Sequence, residues 1–166
     1  FSRVDGFEVH HSVVDRTSSG NKFCIIANGS FQGRIEHNHL AGPLATSEGG
    51  ASLYFGSDGV VTEDVLVRHN RISKGGADEV VPAVYSHATG LKIHGNIFDG
   101  VPRALFCMTD QTCEVHHNVF YALPEALSDG RIVARNNIFA HTEDGQRAFG
   151  TIDDLTALCD ALRERG

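Results

Sequence analysis

Residues 91–98 read Leu91-Lys92-Ile93-His94-Gly95-Asn96-Ile97-Phe98, and this stretch is one copy of a phrase that occurs six times in the chain. The central four residues of the six copies are Val9-His10-His11-Ser12, Ile35-Glu36-His37-Asn38, Val67-Arg68-His69-Asn70, Ile93-His94-Gly95-Asn96, Val115-His116-His117-Asn118 and Ala134-Arg135-Asn136-Asn137. Two residues after each Ser or Asn stands an apolar side chain, in order Val14, Leu40, Ile72, Phe98, Phe120 and Phe139. Self-similarity at a period of about 20 to 50 residues predicts a solenoid.

The spacing between the copies indicates the kind of solenoid. Successive Ser or Asn positions are 26, 32, 26, 22 and 19 residues apart. Helical repeats keep a nearly constant length, because two helices of fixed length have to stack on their neighbours. Coils of β-strands need only short strands in register, and their loops can grow outward without disturbing the stack. The variable spacing therefore favours stacked β-coils.

Alternation within each copy supports strands. Residues five and three positions before the Ser or Asn are mostly apolar, whereas those four and two positions before it are mostly polar. An apolar and polar period of two is typical of a half-buried strand. The residues predicted to point inward are Phe7, Val9, Gly33, Ile35, Val65, Val67, Leu91, Ile93, Cys113, Val115, Ile132 and Ala134.

The recurring Asn has a structural explanation. At the same bend of successive coils, an amide can tolerate a left-handed backbone and can donate and accept hydrogen bonds along the stack. Such a ladder satisfies buried turn backbone that has no strand partner. We favour this role over sugar binding for Asn38, Asn70, Asn96, Asn118 and Asn137.

The unit from Ala83 to Phe98 consists of a strand, a short turn, a second strand, an Asn and an apolar pair. It resembles the right-handed parallel β-helix repeat of the pectin-lyase-like superfamily, and the resemblance covers roughly residues 7 to 140. It implies an all-β fold, a right-handed parallel β-helix of about six coils over residues 1–150. Residues 1–6 are too few to cap the first coil, so we expect a C-terminal portion of a longer protein, a processed form, or an open end that pairs with another subunit.

Residues 151–166 are predicted to form a short C-terminal α-helix. Thr151 and Asp154 have the spacing of a capping box. One face of the helix is apolar, with Ile152, Leu155, Leu158, Cys159 and Leu162. We expect this helix to cap the last coil, and docking of a partner is the alternative.

Composition excludes several classes of protein. A length of 166 residues fits one domain. The formal net charge of −7, without any run of Lys or Arg, argues against a nucleic-acid partner. No stretch approaches the 18 or so consecutive apolar residues of a membrane span. Of the four cysteines, Cys107 and Cys113 are either small core residues or bonded across the turn between them, and the sequence leaves both open.

Seven of the ten His residues stand in the two positions before the Ser or Asn. Coils stack about 4.8 Å apart, so these imidazoles are expected to touch between coils. Their nitrogens could bind a metal, but a parallel stack sets ligands in a line, and no Cys or paired carboxylate joins them. We therefore predict a hydrogen-bonded surface ladder and no metal site. A pH-sensing role is a further hypothesis that rests on the His count alone.

Candidate chemistry lies in loops 41–50 and 73–82, which adjacent coils are predicted to project side by side around a groove. β-Elimination at a uronic acid needs cations or Ca²⁺ at the carboxylate and a base, and hydrolysis needs two carboxylates. No motif supports Ca²⁺ as a cofactor, which leaves it open. Solvated loop charges are the alternative. The catalytic candidates are Lys74, Asp78, Glu79 and His87, and the substrate-binding candidates are Glu48, Arg68, His69, Tyr85 and Arg103.

The resemblance implies a carbohydrate-active protein that works outside the cell or in the periplasm, with a polysaccharide or oligosaccharide as its partner. Such a protein would be a polysaccharide lyase or glycoside hydrolase, and a non-catalytic glycan-binding or attachment solenoid is the alternative. The combined Asp-Asp, Gly-His-Gly and Arg-Ile-Lys motifs of polygalacturonases are missing from the sequence, as is the Asp-Pro-His-Asp of alginate epimerases. No known catalytic set can therefore be carried over.

Overall fold

The computed structural model describes residues 2–15, 23–42, 51–56, 61–73, 82–108, 110–128 and 131–140. These residues contain seventeen short strands and no helix. The strands are β1 (Glu8–His10), β2 (Val13–Asp15), β3 (Phe23–Asn28), β4 (Arg34–Glu36), β5 (His39–Ala41), β6 (Ala51–Gly56), β7 (Leu66–Arg68), β8 (Arg71–Ser73), β9 (Pro82–Ser86), β10 (Leu91–His94), β11 (Ile97–Asp99), β12 (Arg103–Cys107), β13 (Thr112–His116), β14 (Val119–Tyr121), β15 (Glu125–Ser128), β16 (Arg131–Arg135) and β17 (Ile138–Ala140).

The strands form three parallel sheets, and every third strand returns to the same sheet. The first sheet has the order β1-β4-β7-β10-β13-β16, the second β2-β5-β8-β11-β14-β17, and the third β3-β6-β9-β12-β15. Because each sheet takes one strand from every turn of the chain, the chain winds as a solenoid of stacked β-coils. The predicted all-β solenoid is confirmed, and its handedness stays a prediction.

The core lies inside the three sheets and is built of like residues stacked coil on coil. Phe98, Phe120 and Phe139 follow one another in register, with ring centroids 5.1 and 4.8 Å apart and rings nearly parallel. Each buried aromatic side chain of this kind stabilises the fold by about 2–3 kcal/mol relative to an exposed one. Directly before strands β1 and β4 of the first sheet, the ring of Phe7 covers Gly33, so a large and a small residue complement each other between coils.

The predicted inward positions are buried wherever a coil is covered on both sides. Ile35, Val67, Ile93 and Val115 are fully buried at the middle of the first sheet. Ala134 on β16 is exposed. The alternation read from the sequence is therefore confirmed for the inner coils.

The five Asn residues of the repeat form an interior row at the bend between the first and second sheets, here called the asparagine seam (Asn38, Asn70, Asn96, Asn118 and Asn137). All are at most 5% exposed. The Asn96 Oδ1 accepts hydrogen bonds from the Asn70 backbone N–H at 2.9 Å and the Asn70 Nδ2 at 3.0 Å. The Asn96 Nδ2 in turn donates to the carbonyl of Val67 at 2.9 Å. The same bonds recur from coil to coil, which confirms the predicted amide ladder.

One detail of the predicted bend is wrong. The left-handed backbone falls on the residue before each Asn and not on the Asn itself, because the chain has to turn there for the amide to point inward. The residues with positive φ at this bend are His11, His37, His69, Gly95, His117 and Asn136, with φ between 50° and 64°. His and Asn are among the few non-Gly residues enriched in that region.

Cys107 and Cys113 are joined by a disulfide, which decides between the two alternatives left open by the sequence. Their Cα atoms lie 6.7 Å apart, and both residues are fully buried. The bond links the end of β12 to β13 across the connection between the third and first sheets. It encloses only a short loop, so it restricts that turn more than the fold as a whole.

Two further expectations lie outside the described residues. These are the C-terminal helix at residues 151–166 and, with it, the domain boundary at residue 150. Within the described ranges, no helix is long and apolar enough to cross a membrane.

Candidate functional site

The outer face of the third sheet has a row of aromatic side chains, here called the aromatic column (Tyr54, Tyr85 and Phe106). Tyr54 on β6 pairs in register with Tyr85 on β9, which pairs with Phe106 on β12. The Tyr54 and Tyr85 ring centroids are 5.5 Å apart, and those of Tyr85 and Phe106 are 4.9 Å apart. Both pairs are stacked, so the rings form a continuous strip that crosses three coils.

Strand alternation explains why these rings point outward. Tyr54 stands between Leu53 and Phe55, which are both fully buried in the core. Since successive side chains of a strand point to opposite faces, the ring between them has to lie on the outer face. All three rings of the aromatic column are half-buried, because each one covers part of its neighbours.

The row is extended at the first described coil of the third sheet. Ile26 on β3 pairs in register with Tyr54 and is 38% exposed. The Phe23 ring lies 4.8 Å from the Tyr54 ring. The apolar strip on this face therefore reaches over four coils.

Polar groups border the aromatic column. The His87 ring lies 5.3 Å from the Tyr85 ring and 6.3 Å from the Tyr54 ring. The guanidinium carbon of Arg103 stands 5.8 Å from the centre of the Phe106 ring, a cation–π contact. Burial, and then the neighbouring Tyr85 hydroxyl, raise the pKa of Tyr54, so its phenol stays neutral and able to donate a hydrogen bond.

Three of the residues predicted from sequence are brought to this face, namely Tyr85, His87 and Arg103. Two others lie elsewhere, at the bend where the first sheet meets the second: Arg68 ends β7, and His69 follows it. The Arg68 Nε donates to a Glu36 carboxylate oxygen at 2.5 Å. The candidates Glu48, Lys74, Asp78 and Glu79 fall outside the described residues, so the groove predicted between their loops stays a prediction.

Sequence reasoning missed Tyr54 and Phe106 as members of the aromatic row. The loops between the second and third sheets differ in length, so the third sheet does not align when the copies are superimposed on their Asn. The buried residues Leu53, Val84 and Leu105 pair in register, and each is followed at once by an aromatic residue. Alignment on that apolar residue could have found the row.

A second notable surface lies at the bend outside the asparagine seam, here called the histidine surface (His10, His11, His37, His69, His94, His116 and His117). Ring centroids along it are 4.5 to 5.6 Å apart from coil to coil. The predicted contact between imidazoles of successive coils is confirmed. Burial, followed by the adjacent rings of His116 and His117, lowers the pKa of His94, so its imidazole is neutral at pH 7.

The fold and the two surfaces define the class of the protein as a parallel β-solenoid. In comparisons with protein-family models, curated proteins and solved structures, nothing matches this chain at a significant level. Arguments about function therefore depend on the two surfaces themselves.

Proposed function

We propose that this chain is a carbohydrate-active β-helix protein of the pectin-lyase-like kind, which binds an extracellular or periplasmic glycan along the aromatic column. The observation that carries the proposal is the outward row of stacked rings on the third sheet. Binding is the function that this geometry supports best.

Aromatic faces suit sugars for an electrostatic reason. The face of an aromatic ring carries partial negative charge. The C–H bonds on one side of a pyranose ring present weak positive charge, so the two faces attract while they also exclude water. A row with one ring per coil offers a straight platform, which fits a linear glycan lying along the solenoid axis.

Polar groups beside the rings can fix the orientation of a glycan on this platform. The Arg103 guanidinium, the Tyr54 hydroxyl and the His87 imidazole can exchange hydrogen bonds with sugar hydroxyls at the edge of the row. The formal charge of −7 repels polyanions at long range. A neutral glycan therefore fits better than a uronic-acid polymer.

The decisive binding experiment uses Tyr85→Ala against a panel of soluble neutral and acidic polysaccharides, with affinity electrophoresis followed by calorimetry. Loss of the central ring is expected to weaken binding by about tenfold, or about 1.4 kcal/mol. Tyr121→Ala is the matched control, because Tyr121 is 45% exposed on β14 of the second sheet. Equal affinities of wild type and Tyr85→Ala would overturn the proposal, as would an equal loss in the control.

Cleavage of the glycan is the second candidate, and the position of His87 favours it. A His next to a sugar platform can act as a general base near neutral pH. Lys74, Asp78 and Glu79, with Glu48 for binding, are the proposed further members of this catalytic site. Hydrolase chemistry is the route open on a neutral glycan, and lyase chemistry is the route if the bound glycan proves to be a uronic-acid polymer.

The two candidates are separated by turnover. Release of reducing or unsaturated ends from a glycan that binds would establish an enzyme, and His87→Ala is then expected to lower kcat by a larger factor than it weakens binding. Binding without release, in wild type as in His87→Ala, would leave the non-catalytic module as the function.

A further inference from the structure

We propose that His94, His116 and His117 bind a first-row transition-metal ion, for which Zn²⁺ is the chosen probe. One ring nitrogen from each residue can be selected such that all three lie within 4.8 Å of one another. This surface lies on a different sheet from the aromatic column, so the inference is independent of the glycan-binding proposal. It also differs from the sequence prediction of no metal site at this ladder.

The backbone brings two of the three rings together by strand pairing. His94 on β10 and His116 on β13 are partners in register, and their ring centroids are 4.5 Å apart. His117 follows His116 in the left-handed conformation, with φ of 57°. That turn carries its ring to the same side, where the Nδ1 atoms of His116 and His117 are 3.0 Å apart.

Gly95 lies next to the cluster and distinguishes this coil from the others. It occupies the position of His117 in the preceding coil, where other coils have a side chain. The side chain nearest to a Cβ at Gly95 would be that of His69, with its Cδ2 at 2.8 Å. The His94 ring lies 5.6 Å from the His69 ring on one side and 5.3 Å from the His117 ring on the other. The sequence prediction of a line of ligands did not consider that one imidazole of a coil and two of the next can form a triangle.

The distances suit a metal ion with nitrogen ligands. Zn–N bonds of about 2.0–2.1 Å place two ligand nitrogens about 3.3 Å apart around a tetrahedral ion. The Nδ1 atoms of His116 and His117 are already near that separation. Small rotations of the His94 ring would bring the third nitrogen in. Three imidazoles leave a fourth coordination position for water, as in zinc sites with three protein ligands.

The surroundings provide one orienting contact and some repulsion. The Asn136 amide nitrogen lies 3.3 Å from the Nε2 of His117, and an amide can partner either protonation form of that nitrogen.

Arg68 pairs in register with His94, and Arg135 with His116. The Arg68 charge is balanced by Glu36, and Glu114 shares a shallow depression with His116. We expect micromolar affinity, because Arg135 opposes the ion.

The chain contains its own control for this site. His10 and His11 form the same side-by-side pair in the first coil, with Nδ1 atoms 3.1 Å apart. Among the described residues, however, the His94 cluster is the one group of three that meets the distance limit. The first-coil pair therefore tests whether two imidazoles are enough.

The experiment is calorimetric titration of the purified chain with ZnCl₂, with imidazole resonances followed by NMR. We expect one site, with selective shifts of the His94, His116 and His117 rings. His94→Ala, His116→Ala and His117→Asn are each expected to weaken binding at least tenfold, and Asn is chosen at residue 117 because it tolerates the left-handed backbone. His10→Ala is expected to bind Zn²⁺ like the wild type.

Three outcomes would overturn the site: no saturable Zn²⁺ binding to the wild type, unchanged affinity in the cluster variants, or an equal loss in His10→Ala. Thermal unfolding without metal checks that each variant is folded. If His116→Ala fails to fold, the variant His94→Gln replaces it, because Gln keeps a polar side chain of similar size on strand β10.

Discussion

The asparagine seam and the histidine surface are neighbours in the chain, yet they contribute to the protein in opposite ways. Asn38, for example, follows His37 directly, and the two side chains lie on opposite sides of the same bend. The side-chain amide is buried and bonded on both sides, because its Oδ1 accepts from the Ser12 N–H and its Nδ2 donates to the Asn70 Oδ1. The imidazole is exposed and lies between the rings of His11 and His69 in the stack. Burial thus demands one residue type, while exposure leaves the next position able to vary and to acquire chemistry.

The largest effect is expected from Asn96→Ala at the middle of the seam. Loss of this amide leaves the Asn70 backbone N–H and the carbonyl of Val67 without these partners in the interior. We expect a loss of about 3 kcal/mol or more in the free energy of unfolding, measured with urea. The control is Asn136→Ala on the exposed side of the bend, with an expected loss of less than about 1 kcal/mol. Similar losses of unfolding free energy in both variants would contradict the contrast between the buried seam and the exposed side of the bend.

Next in size is Gly95→Ala, which adds a side chain at a left-handed position. Gly95 has φ of 64°, and a Cβ there would lie 2.8 Å from the Cδ2 of His69. We expect a loss of about 1–2 kcal/mol in unfolding free energy. Gly100→Ala has the same φ with nothing within 4 Å, so the difference between the two variants isolates the contact with His69. A Gly95→Ala variant as stable as the wild type would show that the bend can relax.

A smaller effect is expected from His37→Gly, which removes a side chain from the same bend. Relief of left-handed strain at φ of 56° offsets the greater freedom of Gly in the unfolded chain. We therefore expect stability within about 0.5 kcal/mol of the wild type. The comparison is His39→Gly on strand β5, where no strain is relieved and a loss of about 1 kcal/mol is expected. Equal losses by thermal and urea unfolding would rule out the strain argument.

The smallest effect concerns the ion pair on the outer side of the bend. The hydrogen bond from Arg68 is the main cause that lowers the pKa of Glu36 in the folded protein. A carboxyl with a depressed pKa adds stability above its unfolded pKa of about 4.5, and this stability is lost as the pH falls through the folded pKa. In Arg68→Gln, the pKa of Glu36 measured by NMR should rise towards 4.5. An unchanged pKa would show that Arg68 does not hold the carboxylate in solution.

Much of this fold could be predicted because its determinants are local and repeated. The alternation around Ile93 and Asn96 recurs with few exceptions in the other copies, so strands and seam could be predicted from one repeated stretch. The conformation of the bend could not be predicted in the same way. Which of two adjacent residues takes the left-handed backbone depends on the direction in which the Asn amide has to point. His94, His116 and His117 meet because His94 pairs with His116 in register and the left-handed backbone at His117 brings a third ring beside them. The sequence pattern alone placed these ligands in a line.

The aromatic column shows a different limit. Tyr85 and Arg103 could be chosen as candidates from chemistry alone, but their common face depends on the register of the third sheet. That register follows loops whose lengths differ, so the sequence did not align Tyr54 with Tyr85 and Phe106. The pairing of buried residues between coils supplies the missing alignment.

The asparagine seam also bears on how this protein can change its length. The amides bond within their own coil and to the coils directly before and after, from Ser12 at one end to Asn137 at the other. The hydrogen bonds of the seam are therefore the same whatever the number of coils in the solenoid. Duplication or deletion of one whole coil in the gene, with its ends at equivalent Asn positions, would therefore give a longer or shorter solenoid in which the seam hydrogen bonds are kept.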